Sequence, residues 1–247
     1  MPRYKITVEY EGTNLLGWQR QLDGPSAQEH LENALFAFTK QRSEVSAAGR
    51  TDAGVHALAQ VAHFDTNKEW DLYRLKEAFN ANLRLADAPV VVTKAELVDE
   101  NFHARFSAIG RGYIYRILNR PAPSVIFQNR VWWVPYALDI DAMKKGAQYL
   151  LGHHDFSSFR AAACQAKSPL KTLDKLDITK NGDEIVFTVE ARSFLHHQVR
   201  NMVGTLKMVG NGYLEANDIP KILEQKDRKA AGPTAPACGL YLNKVMY

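Results

Sequence analysis

Residues 45–64 read VSAAGRTDAGVHALAQVAHF, in which two largely apolar runs flank a turn that contains glycine. The runs at 45–48 and 58–64 predict two strands, because each is short, apolar and bounded by turn residues. Asp52 lies in the turn between Gly49 and Gly54, and glycine permits unusual backbone angles and the close approach of a large ligand. This stretch predicts the middle two strands of a β-α-β-β-α-β unit.

The flanking residues supply the other elements of that unit. Residues 4–10 alternate in strand fashion. Ser26 is predicted to cap a helix that continues to about Lys40. An amphipathic helix is predicted over 72–83, followed by a strand over 90–97.

The second half of the chain repeats the same order of elements. We predict a strand over 113–118, a helix from Asp139 or Asp141 to about 151, strands over 173–179 and 185–191, helices over 196–209 and 219–224, and a final strand over 240–245. Two such units in tandem, 1–104 and 105–247, resemble two ferredoxin-like halves. The predicted fold class is therefore α+β (mixed α/β), in which the halves form a continuous, mainly antiparallel sheet with a central active-site cleft.

Composition indicates a soluble globular protein. Of the 247 residues, 46 % are hydrophobic and 23 % are charged, as in ordinary soluble domains. No apolar run approaches the roughly 20 residues that a membrane span needs, and the N-terminal residues enter a strand pattern without an apolar targeting core. Two cysteines are too few for a secreted disulfide framework. We expect a cytoplasmic protein.

Basic residues are concentrated in three windows that contain no Asp or Glu. The windows 101–138, 156–173 and 191–214 contain Arg105, Arg111, Arg116, Arg120, Arg130, Arg160, Lys167, Lys171, Arg192, Arg200 and Lys207. Basic residues interleaved with aromatic ones are typical of proteins that bind polyanions such as RNA. The net charge of +4 is mild, and the same distribution also fits ordinary solvated faces with acids elsewhere.

Asp52 is the strongest catalytic candidate, since it is the only acid between Glu44 and Asp65. Arg50, two residues earlier, could hold a neighbouring carboxylate ionised or reach a phosphate. The alternative is an aspartate that only closes a turn through hydrogen bonds to its own backbone.

Residues 49–57, GRTDAGVHA, closely resemble the signature G-R-T-D-x-G-V-H-A of the TruA family of tRNA pseudouridine synthases. Further segments match that family in the same order along almost the whole chain. They are 10–12, 17–21, 80–83, 102–106, 113–117, 156–160, 196–204 and 239–242.

The resemblance implies roles for residues at the matching positions. Asp52 corresponds to the catalytic aspartate, Tyr113 to the tyrosine that stacks on the target base, and Arg200 to the arginine that pairs with the aspartate. Arg50 corresponds to an arginine associated with the flipped-out nucleotide. The predicted RNA-binding residues are Arg50, Phe102, His103, Arg105, Phe106, Arg160 and, from its basic window, Lys167.

The resemblance also implies the pseudouridine synthase fold, the reaction and the partners. The reaction isomerises uridine to pseudouridine at positions 38–40 of the tRNA anticodon arm, and the enzyme is expected to be a homodimer that does not bind DNA. The isomerisation breaks the C–N glycosidic bond, turns the uracil and joins its C5 to the same sugar carbon. No atom is gained or lost, so we expect no cofactor. The first step remains open: Asp52 attacks the sugar carbon, attacks the ring or removes a sugar proton.

Bound metal is not expected. Adjacent histidines on a helix diverge, and no C-x-x-C or H-E-x-x-H string accompanies the pairs His153-His154 and His196-His197.

Two other functions compete with the isomerase. A glycoside hydrolase also acts at an anomeric carbon, but it needs a second carboxylate as acid, and the neighbourhood of Asp52 offers none before Asp65. A catalytically silent RNA-binding protein would tolerate the loss of Asp52, because a carboxylate that faces phosphates weakens binding.

Overall fold

The computed structural model describes all residues from Met1 to Tyr247, and these fall into two compact units. The first unit comprises Met1–Ile109 and Tyr241–Tyr247, and the second comprises Gly110–Leu240. The predicted subdomains had one boundary, between residues 104 and 105. The final strand lies with the first unit instead, because it pairs with a strand of that unit.

The first unit has ferredoxin-like strand order. Its elements are β1 (Arg3–Tyr10), α1 (Ala27–Thr39), β2 (Ser46–Ala47), β3 (His56–Asp65), α2 (Leu72–Leu85), β4 (Val90–Val98) and β10 (Leu240–Met246). The spatial order β4-β1-β3-β2 is antiparallel throughout. In addition, β10 runs parallel to β3, with Tyr241 opposite His56. Ser26 caps α1 as predicted, since its side chain accepts a hydrogen bond from the backbone N–H of Glu29.

The second unit contains the remaining elements. They are β5 (Gly110–Asn119), β6 (Trp132–Val134), α3 (Ile140–Gln148), β7 (Gly152–Asp155), β8 (Leu170–Asn181), β9 (Glu184–Ala191), α4 (Gln198–Gly210) and α5 (Asp218–Gln225). The order β5-β9-β8-β7 is antiparallel, and β6 lies parallel to β5. The predicted α+β class with mainly antiparallel strands is confirmed. None of the helices has the length and apolarity that crossing a bilayer requires.

One predicted helix is shorter than expected. Asp139 caps α3 by accepting from the backbone N–H of Ala142 at 2.9 Å, but the helix ends at Gln148 instead of near 151. Residues Gly152–Asp155 form β7 on β8. His153 and His154 lie on this strand, which was not predicted.

Each unit packs helices on one sheet. In the first, alternate residues of β1 such as Tyr4 and Ile6 are fully buried, and Leu75, Phe79 and Leu83 of α2 are buried at helical spacing. The edge of the Phe79 ring contacts the face of Phe64 of β3, with centroids 5.4 Å apart. In the second unit, α3 and α4 pack together and bury Met143, Ala147, Met202, Val203 and Leu206.

Helix α4 also lies very close to the segment 233–236, and Gly204 makes this approach possible. A Cβ atom at Gly204 would stand 1.8 Å from the carbonyl oxygen of Pro233. The same segment is hydrogen-bonded to the helix, because the N–H of Ala235 donates to the carbonyl of Arg200 at 3.1 Å.

We predict that Gly204→Ala lowers the free energy of unfolding. Alanine is favoured over glycine in a helix by about 1 kcal/mol. Overpacking costs typically about 1–3 kcal/mol, and here the obstructing atom belongs to the main chain, so we expect a net loss of about 1–2 kcal/mol. The measurement is urea unfolding of the variant beside Gly49→Ala, whose new methyl group would meet no atom within 4 Å. Equal stabilities of the two variants would contradict the close approach.

Candidate active site

Asp52 lies in a tight turn between β2 and β3 and is partly buried. The N–H of Val55 donates to the carbonyl of Asp52 at 3.2 Å. Gly54 has φ +76°, a left-handed angle that favours glycine. The sequence therefore provides a sharp turn that carries Asp52.

The segment that follows β1 lies directly against this turn. The N–H of Trp18 donates to the carbonyl of Thr51 at 3.1 Å, and the N–H of Gly54 donates to that of Leu15 at 3.3 Å. Gly17 has φ +91°, and a Cβ there would stand 2.4 Å from the carbonyl oxygen of Thr51. Only glycine at position 17 permits the observed separation of the two chains.

The side chain of Thr51 is hydrogen-bonded from the opposite direction. The phenol of Tyr10, the last residue of β1, lies 2.7 Å from the Thr51 hydroxyl, and both side chains are buried. Burial raises the pKa of Tyr10 to about 12. The phenol is therefore neutral over the whole working range of pH.

His56, the histidine of the GRTDAGVHA segment, is buried and contacts other parts of the first unit. Its Nδ1 accepts a hydrogen bond from the N–H of Gly12 at 2.9 Å, and its ring stacks on Tyr241 with centroids 4.6 Å apart. It is 1 % exposed. His56 thus connects the turn to the segment after β1 and to β10, whereas Arg50 on the same turn is exposed to solvent.

Tyr113 lies on β5 of the second unit and is partly exposed. Its ring makes an edge-to-face contact with Phe194, with centroids 5.2 Å apart and planes at 87°. Tyr115, two residues along, is fully buried, and its hydroxyl donates to the carbonyl of Pro236 at 2.8 Å. Of the two tyrosines in this motif, only Tyr113 offers a ring surface to a ligand.

Arg200 lies in the first turn of α4, and its position is set by the segment 233–236. Its Nε donates to the carbonyl of Ala235 at 2.8 Å. Arg228 supports the same arrangement, because its guanidinium donates to both Asn201 and Thr234 at 3.1 Å. The guanidinium of Arg200 is thereby held in one orientation.

The pair His196-His197 differs from the prediction. Both residues precede α4, and His197 has φ +62°. This left-handed angle brings the two rings to a centroid distance of 4.0 Å. The expectation that they diverge on a helix is therefore wrong for this pair.

The predicted RNA-binding segment 102–106 contains two aromatic residues in different environments. Phe102 packs against buried Ala48, Val61 and Ala104. Phe106 is 77 % exposed.

The ring of His103 lies between two others in the first unit. It is 4.5 Å from the ring of His63 and 4.4 Å from the ring of Phe106. His63, His103 and Phe106, here called the His–Phe strip, thus form a row of rings that ends at solvent. The guanidinium of Arg105 lies 5.8 Å from the outermost ring.

Arg160 and Lys167 belong to one loop of the second unit. The guanidinium of Arg160 donates to the carbonyls of Cys164 at 2.6 Å and Ala166 at 3.1 Å, and so determines the shape of the loop. Lys167 is exposed on that loop.

Sequence reasoning assigned no role to several residues that contact the Asp52 turn or Tyr113. They are Tyr10, Gly12, Gly17, Trp18 and Phe194. The first four lie in the matched segments 10–12 and 17–21, so the signal was present in the motif. Their role was not readable, because it depends on contacts with residues more than 30 positions away.

Comparison with known proteins gives consistent matches. The sequence model of a family described as tRNA pseudouridine synthase matches residues 6–107 and 147–247. The chain is 58 % identical over its full length, and over 96 % of the relative, to tRNA pseudouridine synthase A of Paramagnetospirillum magneticum. It is 53 % identical to the proteins of the same name from Rhodospirillum centenum, over both full lengths, and Brucella ovis, over its full length and 98 % of the relative. The chain belongs to the tRNA pseudouridine synthase family.

Proposed function

We propose that this chain, an isomerase of tRNA uridine by family, uses Asp52 as its catalytic carboxylate and acts at positions 38–40 of the anticodon arm. The observation that carries the proposal is the GRTDAGVHA turn itself. The backbone there is hydrogen-bonded to the segment after β1, and the side chain of Thr51, next to Asp52, is hydrogen-bonded to Tyr10. A turn-closing aspartate needs no such support.

The chemistry suits a fixed, ionised carboxylate. The C–N glycosidic bond breaks, the uracil turns, and its C5 bonds to the same sugar carbon. The C5 proton leaves to solvent, and N1, freed from the sugar, takes up a proton in its place. Aspartate serves as nucleophile at a sugar carbon in retaining glycosidases. Three first steps are open, namely attack on the sugar carbon, attack on the ring and removal of a sugar proton. Each requires that Asp52 acts as a carboxylate and that its position is constant.

Tyr113 is proposed to stack on the target uracil. Its partly exposed ring packs against Phe194 with the planes at 87°, so little freedom is lost when a base stacks on it. Base–aromatic stacking is worth about 1–3 kcal/mol per base, which is comparable to the few kcal/mol that flipping a nucleotide costs.

Arg200 is proposed to pair with Asp52. A guanidinium offers a carboxylate charge-assisted N–H donors in a fixed geometry. The hydrogen bond from Nε of Arg200 to the carbonyl of Ala235 supports this role, since it orients the guanidinium.

Contacts with the rest of the RNA are proposed for residues in both units. Arg50, Arg105 and Lys167 are exposed cations suited to phosphates, and Arg160 shapes the loop that carries Lys167. In the 102–106 segment, Phe106 and His103 are proposed to contact a base, and Phe102 to support them from the core. A homodimer, in which one RNA spans two subunits, and a cytoplasmic location belong to the same proposal.

We predict that Asp52→Ala abolishes turnover and leaves tRNA binding within about twofold, because the side chain acts on the reaction and contributes little to phosphate contacts. The measurement is tritium release from 5-tritiated uridine in unmodified tRNA without added cofactor, beside the dissociation constant. Asp141→Ala, an exposed acid in α3, is the matched control. Binding lost in step with turnover would contradict the catalytic assignment.

We predict that tRNA affinity falls steeply with added salt. Each neutralised phosphate releases counterions, so the logarithm of the association constant falls linearly with that of salt concentration, by about 0.7–0.9 per phosphate contact. Titration from low to physiological salt checks this. A flat response would contradict binding through the three basic windows.

We predict that Phe106→Ala weakens tRNA binding by roughly 5- to 150-fold, as expected for the loss of one stacked base. The free energy of unfolding should hardly change, because the ring is exposed. Phe102→Ala is the comparison, and it should lower the free energy of unfolding because its ring packs on the core. Native affinity in Phe106→Ala would exclude the His–Phe strip from the RNA contact.

A further inference from the structure

We propose that Tyr10 is a positioning residue for Asp52, because its buried phenol holds the side chain of Thr51 and thereby the backbone that carries the carboxylate. This inference rests on the proposed catalytic role of Asp52. Thr51 immediately precedes Asp52, so a rotation of residue 51 moves the carboxylate directly.

Tyr10 itself has little freedom to move. It is the last residue of β1 and is paired on both sides, with Ala57 of β3 and with Val90 of β4. Its side chain is 3 % exposed, and its ring packs beside Trp18 with centroids 6.2 Å apart. The sheet therefore holds the phenol oxygen in a constant position, 2.7 Å from the Thr51 hydroxyl.

The amide of Gln60 holds the other end of the turn. This side chain is fully buried. Its Nε2 donates to the carbonyl of Gly49 at 2.8 Å, and its Oε1 accepts from the N–H of Val61 at 3.2 Å. Gly49 and Thr51 are thus both held by buried side chains of the sheet, Gly49 by Gln60 and Thr51 by Tyr10.

These contacts complete the support of residue 51. Its carbonyl accepts from Trp18, and Gly17 lies against the same oxygen, so its main chain is held from one side. Its hydroxyl is held by Tyr10 from the other. Without the phenol oxygen, Thr51 would have a buried hydroxyl with one partner fewer, and the turn would relax to find another.

Tyr10 is unsuited to a direct chemical role. It is buried, and burial raises the pKa of its phenol to about 12, so it does not exchange a proton near neutral pH. Its effect on the reaction is geometric. A misplacement of about 1 Å can cost on the order of 100-fold in rate.

The first test compares two tyrosines of the same strand. In Tyr10→Phe we expect kcat for tritium release to fall roughly 10- to 100-fold, with the tRNA dissociation constant within about twofold of native. Tyr4→Phe is the matched control. Tyr4 is also fully buried on β1, and its hydroxyl accepts from the N–H of Trp70 at 2.7 Å, but it lies six residues before Tyr10 on the strand. We expect Tyr4→Phe to lower the urea midpoint and leave kcat unchanged.

The second test changes the partner. Thr51→Ser keeps the hydroxyl and should retain most of kcat, whereas Thr51→Val should lose kcat as Tyr10→Phe does. The double variant Tyr10→Phe/Thr51→Val should fall no further than the worse single variant, because both remove one interaction. This series also tests the proposal if Tyr10→Phe fails to fold.

Several outcomes would overturn the inference. They are native kcat in Tyr10→Phe, an equal fall in Tyr4→Phe, or fully additive losses in the double variant. Asp52→Ala, assayed in parallel, distinguishes failure of the positioning role from failure of the proposed function. If Asp52→Ala is inactive and Tyr10→Phe is native-like, only the positioning role fails. If Asp52→Ala retains turnover, the proposed function fails and the positioning role fails with it.

Discussion

The close contact between the Asp52 turn and the segment after β1 is the constraint on which the candidate active site depends. Two glycines make it possible. A Cβ at Gly12 would stand 2.1 Å from the carbonyl oxygen of Val55, and one at Gly17 would stand 2.4 Å from that of Thr51. Main-chain hydrogen bonds from Trp18 to Thr51 and from Gly54 to Leu15 then hold the two chains together at this separation.

The sheet of the first unit explains why this turn has such support. Strands β1 and β3 are antiparallel neighbours, so the end of β1 and the start of β3 lie at the same edge. Tyr10 therefore stands opposite Ala57, next to His56. His56 and Tyr10 then connect the turn to β10 and to the sheet by a stacked ring and a buried hydrogen bond. The signature histidine is structural in this arrangement.

In the second unit, packing separates residues that share a motif. Tyr113 and Tyr115 lie on the same face of β5, since side chains two apart point the same way. Tyr115 is covered by Trp132 and Phe187 and hydrogen-bonded to Pro236, whereas the ring of Tyr113 contacts that of Phe194 and stays partly exposed. Packing therefore makes Tyr115 part of the core and leaves Tyr113 at the surface.

The sequence alone determined the order of the elements in the first unit, the cap at Ser26, the family and Asp52 as the catalytic candidate. These depend on local preferences and on a contiguous motif, which a chain displays without folding. The sequence did not predict β7, and it wrongly placed His196 and His197 on a helix. The local pattern does not reveal that β7 pairs with β8 or that His197 has a left-handed backbone angle. Only the tertiary structure decided that Phe106 is exposed and Phe102 packed in the core, and that Tyr10 lies against Thr51. Those contacts join residues about 40 positions apart, and strand register and glycine-permitted close approach bring them together.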